Sequence, residues 1–120
     1  MKAINLKEKF SQISDYWNPR IAAELNGQQV KLAKLKGDFV RHNHPHEDEM
    51  FLVMKGVLKL EFDDRIEIIK QGEFIVIPKG VYHKPIADDE VEVLLFEPAS
   101  TLNSGDQQKS EFTRTNLDFI

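Results

Sequence analysis

The sequence predicts an all-β domain, a sandwich or barrel, and three observations predict it. Short runs rich in Val, Ile, Leu and Phe recur from Phe39 to Glu97, with turn residues such as Asp63-Asp64, Gln71-Gly72 and Lys79-Gly80 between them. No helical pattern alternates with these runs, which argues against the βαβ units of a parallel sheet and for sheet packed on sheet or closed on itself. Upstream, Asn26-Gly27 separates two further candidate strands, the strongest two-residue hairpin signal a sequence can carry.

Taken in order, Leu6, Phe10 and Ile13 fall at helical spacing behind Asn5, a capping residue, and predict one short helix over 6–13. Ile21 to Leu25 and Gln29 to Leu35 are the arms of the hairpin. Further strands are expected at Phe39 to His44, Glu49 to Met54, Val57 to Phe62, Ile66 to Lys70, Phe74 to Ile77 and Val91 to Glu97. A helix-and-hairpin segment (1–36), a barrel core (37–98) and a carboxy-terminal extension (99–120) then make up one domain, since 120 residues suffice for one core and not for two.

Side chains alternate along a strand, so residues two apart share a face. If His42 and His44 point inward, Val40 goes with them, and Phe39 and Arg41 point out; Phe51 and Val53 follow Glu49 inward, while Met50, Leu52 and Met54 lie on the other face. That second face is apolar too, as it is in Val91 to Phe96, and a strand apolar on both faces is usually covered on both. A homodimer through such a face is the expectation, with coverage by the amino-terminal helix as the alternative. In the extension, Ser100 to Ser110 reads as loop, and Phe112, Leu117, Phe119 and Ile120 either dock on the barrel or belong to a frayed end.

Composition excludes more than it assigns. The net charge is −4, and the 16 Lys and Arg are interleaved with acids, so a basic face that tracks phosphates is not expected and neither is a nucleic-acid partner. No cysteine is present, which removes disulfides and thiol nucleophiles and is compatible with a cytoplasmic location. The first ten residues lack the apolar core of a secretory signal and no stretch approaches membrane-spanning length, so no membrane association is expected.

The chemistry is concentrated in His42-Asn43-His44-Pro45-His46-Glu47-Asp48-Glu49 and in a later His83. His42 and His44 can grip one ion from one strand face. Glu49, at an odd offset, can join them only if Pro45 to Asp48 turn the chain and return it on the next strand. Three neutral imidazoles and a carboxylate form a borderline ligand set, suited to divalent iron, manganese, zinc, nickel or copper and poorly suited to calcium or magnesium.

The glycine and proline punctuation extends this pattern. His42-x-His44, four residues, Glu49, six residues, Gly56 is one cassette; Gly72, five residues, Pro78-x-Gly80, two residues, His83 is the second. Both resemble the two motifs of the cupin superfamily, over roughly Gly37 to Pro98. The resemblance implies a jelly-roll barrel, a double-stranded β-helix of the RmlC-like kind, with metal ligands His42, His44, Glu49 and His83. Two positions depart from the pattern. Four residues rather than five separate Gly37 from His42, which predicts a shifted turn there, and Ala87 stands where an Asn often closes the second motif.

Four ligands leave positions open on a six-coordinate ion, as catalysis requires. The expected function is a metal-dependent enzyme acting on a small carbonyl-type or sugar-like molecule. Within the superfamily that could mean an isomerase, epimerase, lyase or dioxygenase; no catalytic residue is assigned. The alternative is a non-catalytic binding or sensing barrel. Val40, Phe51 and Val53, with Leu58, Leu60 and Phe62, are the expected pocket walls. His46 is expected in an exposed loop, Glu47 and Asp48 as solvated charge, Tyr82 as wall or surface, and Trp17 and Tyr16 in packing, with the mouth of a ligand pocket as their alternative.

Overall fold

The computed structural model describes residues 1–120. One helix, α1 (Leu6–Ser11), precedes seven strands: β1 (Arg20–Leu25), β2 (Gln28–Asp38), β3 (Glu49–Lys55), β4 (Val57–Glu61), β5 (Ile66–Lys70), β6 (Phe74–Ile77) and β7 (Lys84–Pro98). Every strand pairing is antiparallel. Asn5 caps α1 by accepting the Glu8 N–H at 2.9 Å. The helix ends at Ser11, short of the expected Ile13, yet Ile13 is buried beside Phe10 and Leu32. The β1–β2 hairpin turns at Asn26-Gly27, where both residues have positive φ, 51° and 78°.

The two longest strands make the barrel. β2 lies along one edge of β7 from Gln28↔Pro98 to Asp38↔Ile86. The other edge of β7 is divided: Lys84 to Ile86 pair with β4, and Glu92 to Phe96 pair with β3. Between them Asp88-Asp89-Glu90 is exposed, and β7 thereby links β4 and β5 to the order β1-β2-β7-β3-β6 in one seven-stranded sheet. Inward-facing side chains, among them Leu35, Phe51, Val53, Leu58, Leu60, Val91, Val93 and Leu95, close the core. β7 begins at Lys84 rather than at Val91, and the exposed acidic run Asp88-Asp89-Glu90 lies within it.

A second expectation fails at the end of β2. Residues 39–44 form no strand: β2 runs to Asp38 with a register shift between Leu35 and Gly37, where the shifted turn was expected, and beyond it only an isolated bridge joins His42 to His83. The inward alternation of Lys31, Ala33 and Leu35 continues to Phe39 and breaks only between Phe39 and His42, where no strand forms. Phe39 turns inward and stacks on Trp17 with ring centroids 4.8 Å apart, and Val40 is only partly buried.

The carboxy-terminal segment docks. Phe112 packs against Trp17 and Phe39, and Ile120 joins the Phe10, Ile13 and Leu32 cluster while its N–H donates to the Ile21 carbonyl. Phe119, by contrast, stays exposed. Helix α1 covers Leu32, Met54 and Leu94 on the outer face of the sheet. No helix is long and apolar enough to cross a membrane.

Candidate metal centre

Three chain segments carry the four residues to one end of the barrel. His42 and His83 face each other across their bridge, His42 N–H to His83 C=O at 3.0 Å and His83 N–H to His42 C=O at 2.8 Å. His44 is held by its carbonyl, which accepts the Gly80 N–H at 2.9 Å. Glu49 opens β3 on its inward face, in phase with Phe51 and Val53, once the chain has turned through Pro45 to Asp48. All four residues are buried, and one ligand atom from each lies within 4.8 Å of the others.

Hydrogen bonds fix two of the rings. His42 Nδ1 lies 2.9 Å from the Val40 carbonyl and His83 Nδ1 lies 2.9 Å from the Val81 carbonyl. A carbonyl only accepts, so each Nδ1 carries the proton and each Nε2 keeps its lone pair for the centre. Glu49 Oε1 lies 3.3 Å from His44 Nε2 and 3.4 Å from His83 Nε2. These contacts are close, but Glu49 Oε1, His83 Nε2 and both ring nitrogens of His44 are buried without a hydrogen bond. A buried polar atom left unpaired costs about 1–3 kcal/mol, and three of these, Glu49 Oε1, His83 Nε2 and one ring nitrogen of His44, can share a common partner. A divalent cation between them satisfies the imidazole and carboxylate lone pairs together, so the residues present fit a metal ion.

Burial, then repulsion from His83, lowers the His42 pKa to about 4, which keeps the ring neutral. Burial would lower that of His44 as well, but the adjacent Glu49 carboxylate prevails and raises it. For Glu49, burial opposes ionisation, yet His44 and His83 outweigh it and hold the carboxyl well below its usual range.

A cavity of about 40 Å³ adjoins the group. Trp17, Leu35, Phe39, Phe51 and Leu95 supply apolar wall, and His42, Glu49, Glu97 and Asn103 the polar lining. Of the expected wall residues only Phe51 lines it; Val53, Leu58 and Leu60 have no exposed surface within the packed core, and Val40 and Phe62 pack against that core from its edge. His46 is exposed, as is Tyr82, which receives the Arg41 guanidinium on its ring at 4.1 Å. Glu47 and Asp48 fasten loops rather than standing as free charge: Glu47 accepts from the Ser100 hydroxyl and Asp48 from the Lys79 N–H.

Sequence reasoning missed a buried ion pair. Lys31 Nζ donates to Glu97 Oε1 at 3.0 Å, with both side chains almost wholly enclosed, and Glu97 lies against Glu49. Burial and then the Glu49 charge push the Glu97 pKa well up, and Lys31 offsets this in part. The signal was available: Glu97 is in phase with the inward Val91, Val93 and Leu95, and Lys31 with Ala33 and Leu35. A charge at an inward position of an apolar strand rarely goes unpaired.

A family model described as a cupin domain matches residues 26–97, more than half of the chain and all four clustered residues. The chain belongs to the cupin family. Among its relatives, this cupin is 34% identical over 83 residues to the uncharacterized protein YdbB of Bacillus subtilis, covering 68% of this chain and 67% of that one. A cupin-2 domain containing protein from Shewanella frigidimarina is 46% identical, with a TM-score of 0.78 over 79% of this chain and 93% of that one. Protein NMB1881 from Neisseria meningitidis is 33% identical, with a TM-score of 0.75 over 82% of this chain and 100% of that one. At the position where the cupin motif often has Asn, Ala87 is wholly buried in the core.

Proposed function

We propose that this cupin binds a divalent transition metal, one of iron, manganese, zinc, nickel or copper, through His42, His44, Glu49 and His83, and acts as a metal-dependent enzyme on a small molecule. The observation that carries this reading is the convergence of one ligand atom from each of four buried residues, those of His44, Glu49 and His83 without a hydrogen-bond partner, beside a largely apolar cavity. When bound, such an ion supplies Lewis-acid or redox chemistry. The chain does the rest. Nδ1 bonds to Val40 and Val81 orient two imidazoles, the apolar walls exclude water, and the Trp17, Phe39 and Phe51 rings fit a compact body. Those walls favour an apolar molecule ending in a carbonyl or hydroxyl group over a sugar, whose hydroxyls would lack partners.

A second reading, a non-catalytic binding or sensing barrel, is favoured by the state of the remaining polar lining. The Asn103 amide is engaged by the Phe112 carbonyl and the Arg114 N–H, and Lys31 holds one oxygen of Glu97, which leaves only Glu97 Oε2 without a partner in this lining. The test is a screen of metal-loaded protein against hydroxy acids, dicarbonyls and dihydroxyaromatics, with Glu49→Ala in parallel. Turnover that disappears in Glu49→Ala while circular dichroism is unchanged supports the enzyme. Binding without turnover supports the second reading, and neither binding nor turnover rejects both.

A further inference from the structure

The three imidazoles are not secured alike. His42 and His83 each donate from Nδ1 to a carbonyl two residues back, whereas neither ring nitrogen of His44 has a partner. What is held instead is the backbone just before His44. The Asn43 N–H donates to Asp106 Oδ1 at 3.0 Å, and the Asn43 carbonyl accepts the Asp106 N–H at 3.0 Å, so one residue of the carboxy-terminal loop grips both sides of Asn43. The other oxygen, Asp106 Oδ2, accepts from the Tyr82 hydroxyl at 3.1 Å, next to His83. One carboxylate therefore joins the segments that bear all three imidazoles. Gly105 allows the approach: a Cβ there would lie 2.1 Å from the Asn43 oxygen and 2.9 Å from His42 Cδ2.

We propose that Asp106 is a positioning residue of the metal centre, aiming His44 through the backbone in place of the Nδ1 hydrogen bond that ring lacks; this rests on the metal-binding reading above. In an extended segment the orientation of the peptide units sets where the flanking side chains point, so fixing both polar groups of Asn43 fixes the directions of His42 and His44 together. Outer partners of this kind set ligand geometry, and their loss costs 10- to 100-fold in affinity.

The test uses cobalt(II) as the probe, read by its visible absorption bands and by the rate of its release to EDTA. Wild type should bind one equivalent. Asp106→Ala, folded by circular dichroism, should bind about tenfold more weakly, with altered bands and faster release. Asp106→Asn, which keeps an acceptor for the Asn43 N–H, should recover most of the loss. Tyr82→Phe, at an exposed position, should speed release by a smaller factor. A folded Asp106→Ala with wild-type affinity, bands and release rate overturns the proposal while leaving the metal reading intact. Wild type that binds no cobalt overturns both. Should Asp106→Ala not fold, an unchanged release rate in Tyr82→Phe overturns the proposal equally.

Discussion

Two carboxyls, Glu49 and Glu97, lie side by side in the barrel with Lys31 as the ammonium that pairs with Glu97. Removing one member of a buried pair strands the other, so Lys31→Met should destabilise metal-free protein by about 3–5 kcal/mol. Lys31→Met combined with Glu97→Gln should recover much of that. Urea denaturation of the two single variants and the double variant measures the coupling, and additive effects would show that the pair is not a unit. His42 makes a pH-dependent contribution of its own. Its folded pKa, about 4, lies below the ordinary imidazole value, so the unfolded chain takes up a proton first and stability falls as pH drops from about 6.5 to 4. In metal-free protein, a His42→Asn variant should lack this component, which amounts to about 3 kcal/mol over the window. Parallel urea curves at pH 7 and pH 4.5 measure it, and an identical pH response in the two proteins would exclude it.

Helix α1 and the site are separate in their energetics. The helix is fastened through Phe10 and Ile13 to Leu32 on the outer face, away from the ligands. Phe10→Ala should therefore cost about 3–5 kcal/mol of stability in urea unfolding and leave the metal content unchanged; a parallel loss of metal would tie the helix to the site. The helix, the hairpin and β3 to β6 were legible because period, cap and turn residues are local signals. The grouping of His42, His44, Glu49 and His83 was legible too, from motif spacings that resemble those of cupins. What failed was non-local. Phe39 and Val40 take faces opposite to those counted back from His42 and His44, because residues 39–41 form no strand and alternation holds only while a strand is unbroken. The start of β7 was hidden by Asp88-Asp89-Glu90, an acidic run exposed within the strand that breaks its apolar alternation. The segment Ser100 to Ser110 reads as polar loop, and its hold on Asn43 through Asp106 exists only in the folded chain.

For the whole molecule, one outer face remains without cover. Val30, Phe96, Met50 and Val76 form one cross-strand row, and Leu94, Leu52 and Phe74 the next. Helix α1 shields the Leu94 end, but Phe74 and Val76 on the edge strand are 63% and 52% exposed. Apolar area of this kind marks an interaction surface, and we propose that a second copy of the chain covers it. Sedimentation should give a dimer at micromolar concentration that Phe74→Glu converts to monomer; wild type sedimenting only as monomer would contradict this.

Metal binding itself is tested most directly by elemental analysis with plasma mass spectrometry, on protein purified without a metal-affinity tag and on His44→Ala prepared identically. Near-stoichiometric iron, manganese, zinc, nickel or copper in the wild type and its loss in the variant is the predicted result. Equal metal content in the two proteins, or none in the wild type even after reconstitution, would contradict it.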